Sequence, residues 1–359
     1  MATEAQVLDA LRTCMEPELG KDIVTLDMVK NIAIAAGKVR FDYVLTTPSC
    51  PLKEGMEKDA RAAVLKVPGV TEVAINMTAA VRQDMRLGRV MPPGVKNIVA
   101  VGSGKGGVGK SSVAANLAVC LARDGAKVGL LDADVYGPNQ PQMFGVAGFK
   151  PEADKDNKIE PAANHGVKLF SMGFLMEADT PAIWRGPMLH GAITQFLKDV
   201  LWGELDYLVV DLPPGTGDVQ LSLCQAVPLV GAVVVTTPQS IAISDVRKAV
   251  AMFKKLNVPI LGIVENMSGF ACPNCRHVSH VFREGGAKAL AEKHKVPFLG
   301  SVPLDGAVCE SGEDGTPMAL AHPDSPTTTA LKHVARQVAA QVSLQNHLRR
   351  TLDIETVAS

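Results

Sequence analysis

Gly104-Lys105-Gly106-Gly107-Val108-Gly109-Lys110-Ser111 satisfies the spacing G-x-x-x-x-G-K-[ST], directly after an apolar run at 97–101 and before a helical pattern at 112–121. That context is what a phosphate-binding loop requires. Its glycines let backbone N–H groups turn onto phosphate oxygens, and the following helix N-terminus adds its dipole. Lys110 is expected to reach the β- and γ-phosphates and Ser111 to ligate Mg²⁺. Gly104, Lys105, Gly106, Gly107, Val108, Gly109, Lys110, Ser111 and Ser112 are therefore the candidate ATP-binding residues. Asp211 closes the apolar run Tyr207-Leu208-Val209-Val210, the place for a carboxylate that holds Mg²⁺ directly or through water. Pro213-Pro214-Gly215-Thr216-Gly217-Asp218 follows, and Gly215 suits a loop that senses the γ-phosphate. Asp132 and Asp134 end another apolar run, and Asp134, further past its end, is the better candidate to orient an attacking or Mg²⁺-bound water. A helix cap is the plainer reading of either. The reaction these groups suit is ATP hydrolysis, with Lys110, Asp134 and Asp211 as its catalytic residues.

Cys272-Pro273-Asn274-Cys275 is the second constellation. A C-x-x-C presents two thiolates to one metal centre but cannot fill a four-thiolate site. Two subunits meeting on a two-fold axis would supply four, enough for a 4Fe-4S cluster or for zinc. Within one chain, Cys272, Cys275, His277 and His280 could chelate zinc over a cramped span, and a dithiol redox pair is a further alternative. The chain holds 7 cysteines, an odd number that cannot all pair internally, so a reducing compartment is expected. Cys14, Cys120 and Cys224 sit in helical patterns and read as packing residues, and Cys309 falls in a late loop. Cys50 precedes Pro51, the expected first position of a helix, and should lean toward thiolate there, unless it is simply buried.

These residues need a scaffold, and 359 residues with 47% hydrophobic side chains suffice for roughly two domains with substantial cores. Thr3-Glu4-Ala5-Gln6 fits a capping box ahead of Val7, Leu8 and Leu11, which opens a short helix. Runs at 29–35 and 39–45 flank Gly37 as a hairpin, a helix follows Pro51, and Val70, Val73 and Ile75 give a third strand. This is a small α+β domain at 1–81. Met91-Pro92-Pro93-Gly94 marks a linker at 82–96. From 97 to 359, apolar runs at 97–101, 127–132, 206–211, 231–237, 260–266 and 297–302 mostly alternate with helical patterns. The expected fold is α/β, a P-loop NTPase with a mostly parallel sheet flanked by helices and ligand loops at the strands' carboxyl ends. The tail from 325 reads as a closing helix and then a polar end. A formal charge of -1 argues against a dedicated nucleic-acid binder. No apolar run approaches the roughly 20 residues of a membrane span, and residues 1–10 lack a secretory pattern, so no membrane association and a cytoplasmic location are expected.

Lys105 within Lys-Gly-Gly-Val-Gly-Lys is similar to the signature lysine of the MinD/ParA-like ATPases. The resemblance implies a nucleotide-sandwich homodimer in which Lys105 is catalytic in trans, reaching the partner's phosphates as an arginine finger does. More narrowly, the large domain resembles the Mrp/ApbC branch, the iron-sulfur cluster carriers. It does so through Asp132-Ala133-Asp134-Val135-Tyr136-Gly137-Pro138, the 211–218 stretch, Glu265-Asn266-Met267-Ser268 and the cysteine pair, in that order. Asn139 stands where the branch has Ser. The resemblance implies that Asn266 binds adenine, that Pro303 flanks the base, and that Cys272 and Cys275 hold a bridging 4Fe-4S cluster. The small domain resembles the iron-sulfur assembly domain often fused ahead of such proteins, through Glu16-Pro17-Glu18-Leu19 and Thr46-Thr47-Pro48-Ser49-Cys50-Pro51, with Glu16 where Asp is usual. The implied function is an ATP-dependent carrier that receives a cluster from a scaffold and passes it to apo-proteins. The alternatives are a MinD/ParA-type regulatory or positioning ATPase with structural zinc at the cysteine pair, and a reductase whose cluster carries electrons.

Overall fold

The computed structural model describes residues 2–83, 91–175, 186–272, 274–275 and 277–357. Residues 84–90 of the expected linker lie outside the described residues, as does Pro273 between the paired cysteines. The chain divides into two compact units, Met1–Arg82 with Ser343–Ser359, and Gln83–Val342.

In the first unit, α1 (Glu4–Leu11) starts at Thr3, whose side chain accepts from the Gln6 N–H while the Gln6 side chain accepts from the Thr3 N–H. This is the expected capping box. β1 (Met15–Glu16) and β2 (Lys21–Asp22) form a small antiparallel pair. β3 (Val29–Ala35) and β4 (Lys38–Leu45) are the expected hairpin, turning through Ala36 and Gly37 at φ of 47° and 81°. Two consecutive positive φ angles match the right-handed strand twist, which is why glycine serves there. α2 (Lys53–Leu65) then carries the chain across the sheet, so β5 (Glu72–Ala79) pairs parallel to β4. The helix begins at Lys53 with Leu52 as its cap, so Pro51 stands ahead of it instead of at its first position. Alternation along β4 turns Val39, Phe41, Tyr43 and Leu45 inward, each at most 2% exposed, against Val7, Leu11, Met56 and Val64.

The second unit begins its sheet with β6 (Ile98–Ser103), α3 (Lys110–Arg123), β7 (Val128–Asp132), the short α4 (Gln140–Met143), β8 (Ala162–Asn164) and β9 (Val167–Ser171). It continues with α5 (Gly186–Asp199), β10 (Tyr207–Asp211), α6 (Asp218–Ala226), β11 (Gly231–Thr236), α7 (Ser240–Lys255) and β12 (Ile260–Asn266). A short hairpin of β13 (Phe270–Ala271) and β14 (Val278–Ser279) precedes α8 (Gly286–His294), β15 (Phe298–Val302), α9 (Ala307–Glu313), α10 (Met318–Ala321) and α11 (Pro326–Val357), whose residues from Ser343 onward belong to the first unit. Eight strands form one sheet in the order β15-β12-β11-β6-β10-β7-β9-β8, every pair parallel except β8 with β9. All residues of β6, β7, β10 and β11 are buried, as helices on both faces require, and this explains their continuous apolar runs.

The six expected strands are all present, and β8 and β9 extend the sheet beyond them. Their runs are only 3 and 5 residues and include Lys168 and Asn164, too short and mixed to stand out by periodicity. The expected polar end is also different: α11 runs unbroken from Pro326 to Val357. The segment from 343 to 357 contains neither Gly nor Pro, so nothing in it stops the helix. Because the sheet is parallel, the loops after β6, β7, β10, β12 and β15 share its carboxyl edge, where the candidate residues lie.

Candidate nucleotide site and cysteine pair

The phosphate loop joins β6 to α3 and its shape depends on specific glycines. A Cβ on Gly104 would lie 2.4 Å from the backbone carbon of Asp245, and one on Gly109, at φ +79°, 2.2 Å from Asn266 Nδ2. Neither position can take a side chain without moving backbone or a buried amide. Ser103 donates its hydroxyl to the Lys105 carbonyl at 2.9 Å, bracing the turn.

Lys110 is 6% exposed, with its Nζ 2.5 Å from Asp211 Oδ1, 3.3 Å from Asp134 Oδ2 and 3.2 Å from Ser111 Oγ. The loop thus brings together three of the expected catalytic groups. Burial alone would lower the Lys110 pKa, but the charges of Asp211 and Asp134 outweigh it and hold the ammonium above its ordinary value. Asp134 is raised by burial and by Asp211, against the pull of Lys110. Asp132 is raised by full burial and then by the Asp211 charge. Two carboxylates, Asp211 and Asp134, contact one ammonium, and a divalent cation would balance the remaining charge. With Ser111 Oγ alongside, this oxygen-rich set fits Mg²⁺.

Asp132 itself accepts from the Ser171 hydroxyl at 2.9 Å, the Asp134 N–H at 3.2 Å and the Gln140 N–H at 3.2 Å. It braces the loop that carries Asp134. Ser171 and Gln140 were not anticipated. Gln140 was findable in part, since Asn139-Gln140-Pro141 marks a helix start, but its bond to Asp211 has no local signal.

Lys105, Lys110, Ser111, Ser112, Asp134 and Pro214 line a cleft of about 380 Å³. A second cleft of about 670 Å³ is bordered by Asn266, Met267, Phe270 and Pro303, and the two share Gly109, Ser112, Asn139 and Met143. Through these shared residues the two clefts adjoin as one trough that runs from the phosphate loop to Asn266 and Pro303. Asn266 closes β12 and donates Nδ2 to the Val108 carbonyl at 2.9 Å, fixing that amide against the phosphate loop. Gly215 has φ +96° and donates its N–H to the Ser103 carbonyl at 3.0 Å, so it lies beside the loop without offering that N–H to a phosphate.

The cysteine pair extends from the hairpin β13/β14, where the Cys272 N–H donates to the His277 carbonyl at 2.9 Å. The N–H groups of Cys275 and Asn274, then the Cys275 thiol, stabilise the Cys272 sulfur as an anion and pull its pKa below the ordinary thiol value. Cys272 is partly exposed and Cys275 exposed. Among the described residues, no three His, Cys, Asp or Glu side chains converge on a metal position. His280 lies 2.9 Å from Glu284 and His277 is exposed, so the one-chain zinc arrangement is not assembled there.

Other cysteines divide by environment. Cys120 in α3 and Cys224 in α6 are buried and their thiols are pushed up to about 12, as packing residues would be. Cys14 is also buried but follows α1 and is not helical. Cys309 lies in α9, not in a loop, with its sulfur 3.6 Å from Glu313 Oε1 at the rim of the larger cleft. The expected thiolate bias of Cys50 is overturned: burial raises its pKa, the Leu52 N–H opposes this, and the Glu18 and Glu16 charges raise it further. The helix starts at Lys53, two residues beyond the expected Pro51, and desolvation prevails.

Burial, reinforced by Glu16, also pushes Glu18 up to about 7. The folded chain therefore binds more protons than the unfolded one between the ordinary carboxylate value and about pH 7, so this group's stability contribution is present on the acid side and is lost as pH rises. Glu18→Gln is expected to melt higher than wild type near pH 8, with the gap narrowing toward about pH 5. Thermal melts across that range check it, and a gap independent of pH would contradict it.

A parallel sheet with a glycine-rich loop leading into a helix, and carboxylates at neighbouring strand ends, defines a P-loop NTPase. The model of the NUBPL iron-transfer P-loop NTPase family matches residues 94–339, and that of the iron-sulfur cluster assembly proteins matches residues 4–75. The chain belongs to the iron-transfer P-loop NTPase family. It is 49% identical over 349 residues to the iron-sulfur cluster carrier protein of Synechocystis, across 96% of this chain and 99% of that one. Among solved structures it is similar to the nucleotide-binding protein of Archaeoglobus fulgidus in complex with ADP, at 43% identity and a TM-score of 0.56 over 62% of this chain and 87% of that one. It is also similar to the cell division ATPase MinD of Pyrococcus furiosus, at 26% identity and a TM-score of 0.50 over 67% of this chain and 98% of the other. The expected fold and family are thereby borne out. Among the described residues, no helix is long and apolar enough to cross a membrane.

Proposed function

We propose that the chain is an ATP-dependent carrier that holds a 4Fe-4S cluster between two copies of itself and passes it to apo-proteins. The observation that carries this reading is the continuity of one segment. Asn266 touches the phosphate loop through Val108, and Cys272 follows six residues later on the same stretch of chain. A change at the nucleotide can therefore reach the cluster ligands through a short connection. The cluster is cargo: Cys272 and Cys275 from each of two protomers complete four thiolates, and the N–H groups that pull the Cys272 pKa below the ordinary thiol value suit a ligand that must be deprotonated.

At the nucleotide, Gly104 through Ser112 cradle the phosphates, while Asn266 and Pro303 hold the base. Ser111 and Asp211 hold Mg²⁺, which when bound supplies charge neutralisation to the β- and γ-phosphates. Lys110 faces the transferred phosphoryl group and Asp134 orients the attacking water. Lys105 lines the phosphate cleft and is only partly buried, a position from which it serves the partner's site. A scaffold supplies the cluster, and the free thiols suit the reducing cytoplasm.

Anaerobic reconstitution tests the reading, with iron, sulfide and zinc counted and transfer to an apo-acceptor followed with and without ATP. About four iron and four sulfide per dimer, with transfer altered by ATP, is the expected result. Zinc without sulfide, or transfer indifferent to ATP, would sink it.

A further inference from the structure

Gln140 opens α4 and is completely buried. Its Nε2 donates to Asp211 Oδ2 at 2.9 Å and to the Ser111 carbonyl oxygen at 3.0 Å. Both amide hydrogens are engaged, one on the carboxylate that ends β10 and one on the first turn of α3. Its backbone N–H donates to Asp132 Oδ2, so the same residue also anchors the loop after β7. Asp211 is bonded to Lys110 on its other oxygen, and the carboxylate is thus held from both sides, once by a cation and once by a neutral donor. A neutral donor fixes the carboxylate's plane without cancelling the charge that a metal ion would need. The remaining atom, Gln140 Oε1, is buried and has no hydrogen-bond partner among the described residues. Buried amide oxygens are seldom left without a donor, so this one calls for a donor that comes with a ligand.

We propose that Gln140 is a positioning residue of the nucleotide site. It ties the loop after β7 to Ser111 and Asp211, presets the two residues that would hold Mg²⁺, and keeps Oε1 as acceptor for a hydroxyl or water that enters with the Mg²⁺-nucleotide. This rests on the reading of the trough as a Mg²⁺-nucleotide site. With an apolar side chain in its place, Asp211 would be held by Lys110 alone and the carboxylate would turn toward that ammonium, away from the metal.

The test uses Gln140→Leu and Gln140→Met in the full chain, two replacements of similar length without donors. Binding of fluorescent ADP is measured with Mg²⁺ and with a chelator, beside the Mg²⁺ dependence of ATP turnover. Affinity with Mg²⁺ is expected to fall about tenfold or more, affinity in chelator to change less than about threefold, and the Mg²⁺ needed for half-maximal turnover to rise about tenfold. Equal losses with and without Mg²⁺, complete loss of ADP binding included, would assign Gln140 to packing and overturn the proposal. So would two variants indistinguishable from a wild type that itself responds to Mg²⁺. A wild type indifferent to Mg²⁺ would overturn the underlying reading and the proposal with it.

Discussion

Cys272→Ala/Cys275→Ala is expected to retain almost no iron or sulfide after anaerobic reconstitution, against about four of each per dimer in the wild type. The size of the effect follows from where the ligands are. Both sulfurs lie beyond the end of a two-residue-strand hairpin, and among the described residues no further His, Cys, Asp or Glu side chains complete a metal site around them. Cys272 is partly exposed and Cys275 exposed, both outside the apolar core, so their removal should leave the fold intact. ATP turnover without cluster should stay within about twofold, since the phosphate groups and the thiols share no direct partner. Iron and sulfide analysis with a phosphate-release assay decides both points. A double variant that still binds a full cluster would place the ligands elsewhere, with the half-buried Cys50 the first to examine.

Lys110→Ala is expected to lower ATP turnover by about a hundredfold or more, the scale for removing one preorganised charge from a transition state. Lys110 is also the one cation in direct contact with Asp211 and Asp134 among the described residues, so its loss leaves two buried acids facing each other. Breaking a buried pair of this kind costs about 3–5 kcal/mol of stability. The deficit should shrink as pH falls. Asp132 and Asp134 are raised above ordinary carboxylates, so in the variant they take up protons first and the repulsion fades toward acid. Phosphate release and chemical denaturation at several pH values measure the two effects. Unchanged turnover would remove Lys110 from the reaction.

Mixing separates the two loop lysines. In a dimer of Lys110→Ala with Lys105→Ala, one site keeps its own Lys110 and receives Lys105 from the other protomer, while the second site lacks both. Activity recovered on mixing two inactive variants would demonstrate that Lys105 acts in trans, and no recovery would return it to its own protomer.

Glycine and proline punctuation, apolar runs and motif spacing are local, and they determined a good deal by themselves. The phosphate loop was legible because only glycine tolerates the positions at Gly104 and Gly109, and the strand and helix on either side follow from short-range pattern. The capping box at Thr3, the hairpin around Gly37, the six principal strands and the proximity of two thiols in C-x-x-C were legible for the same reason. Tertiary structure decided what depends on neighbours distant in the chain. Val108 and Asn266 meet across 158 positions, and Asp211 and Gln140 across 71, with no signal in either segment alone. Burial then changed the chemistry of residues whose identity was plain: Asp132 became a brace held by Ser171, and Cys50 a thiol with a raised pKa although it precedes a helix. A residue's type is fixed by the sequence, but its charge state and partners are set by the dielectric and the donors that folding brings around it.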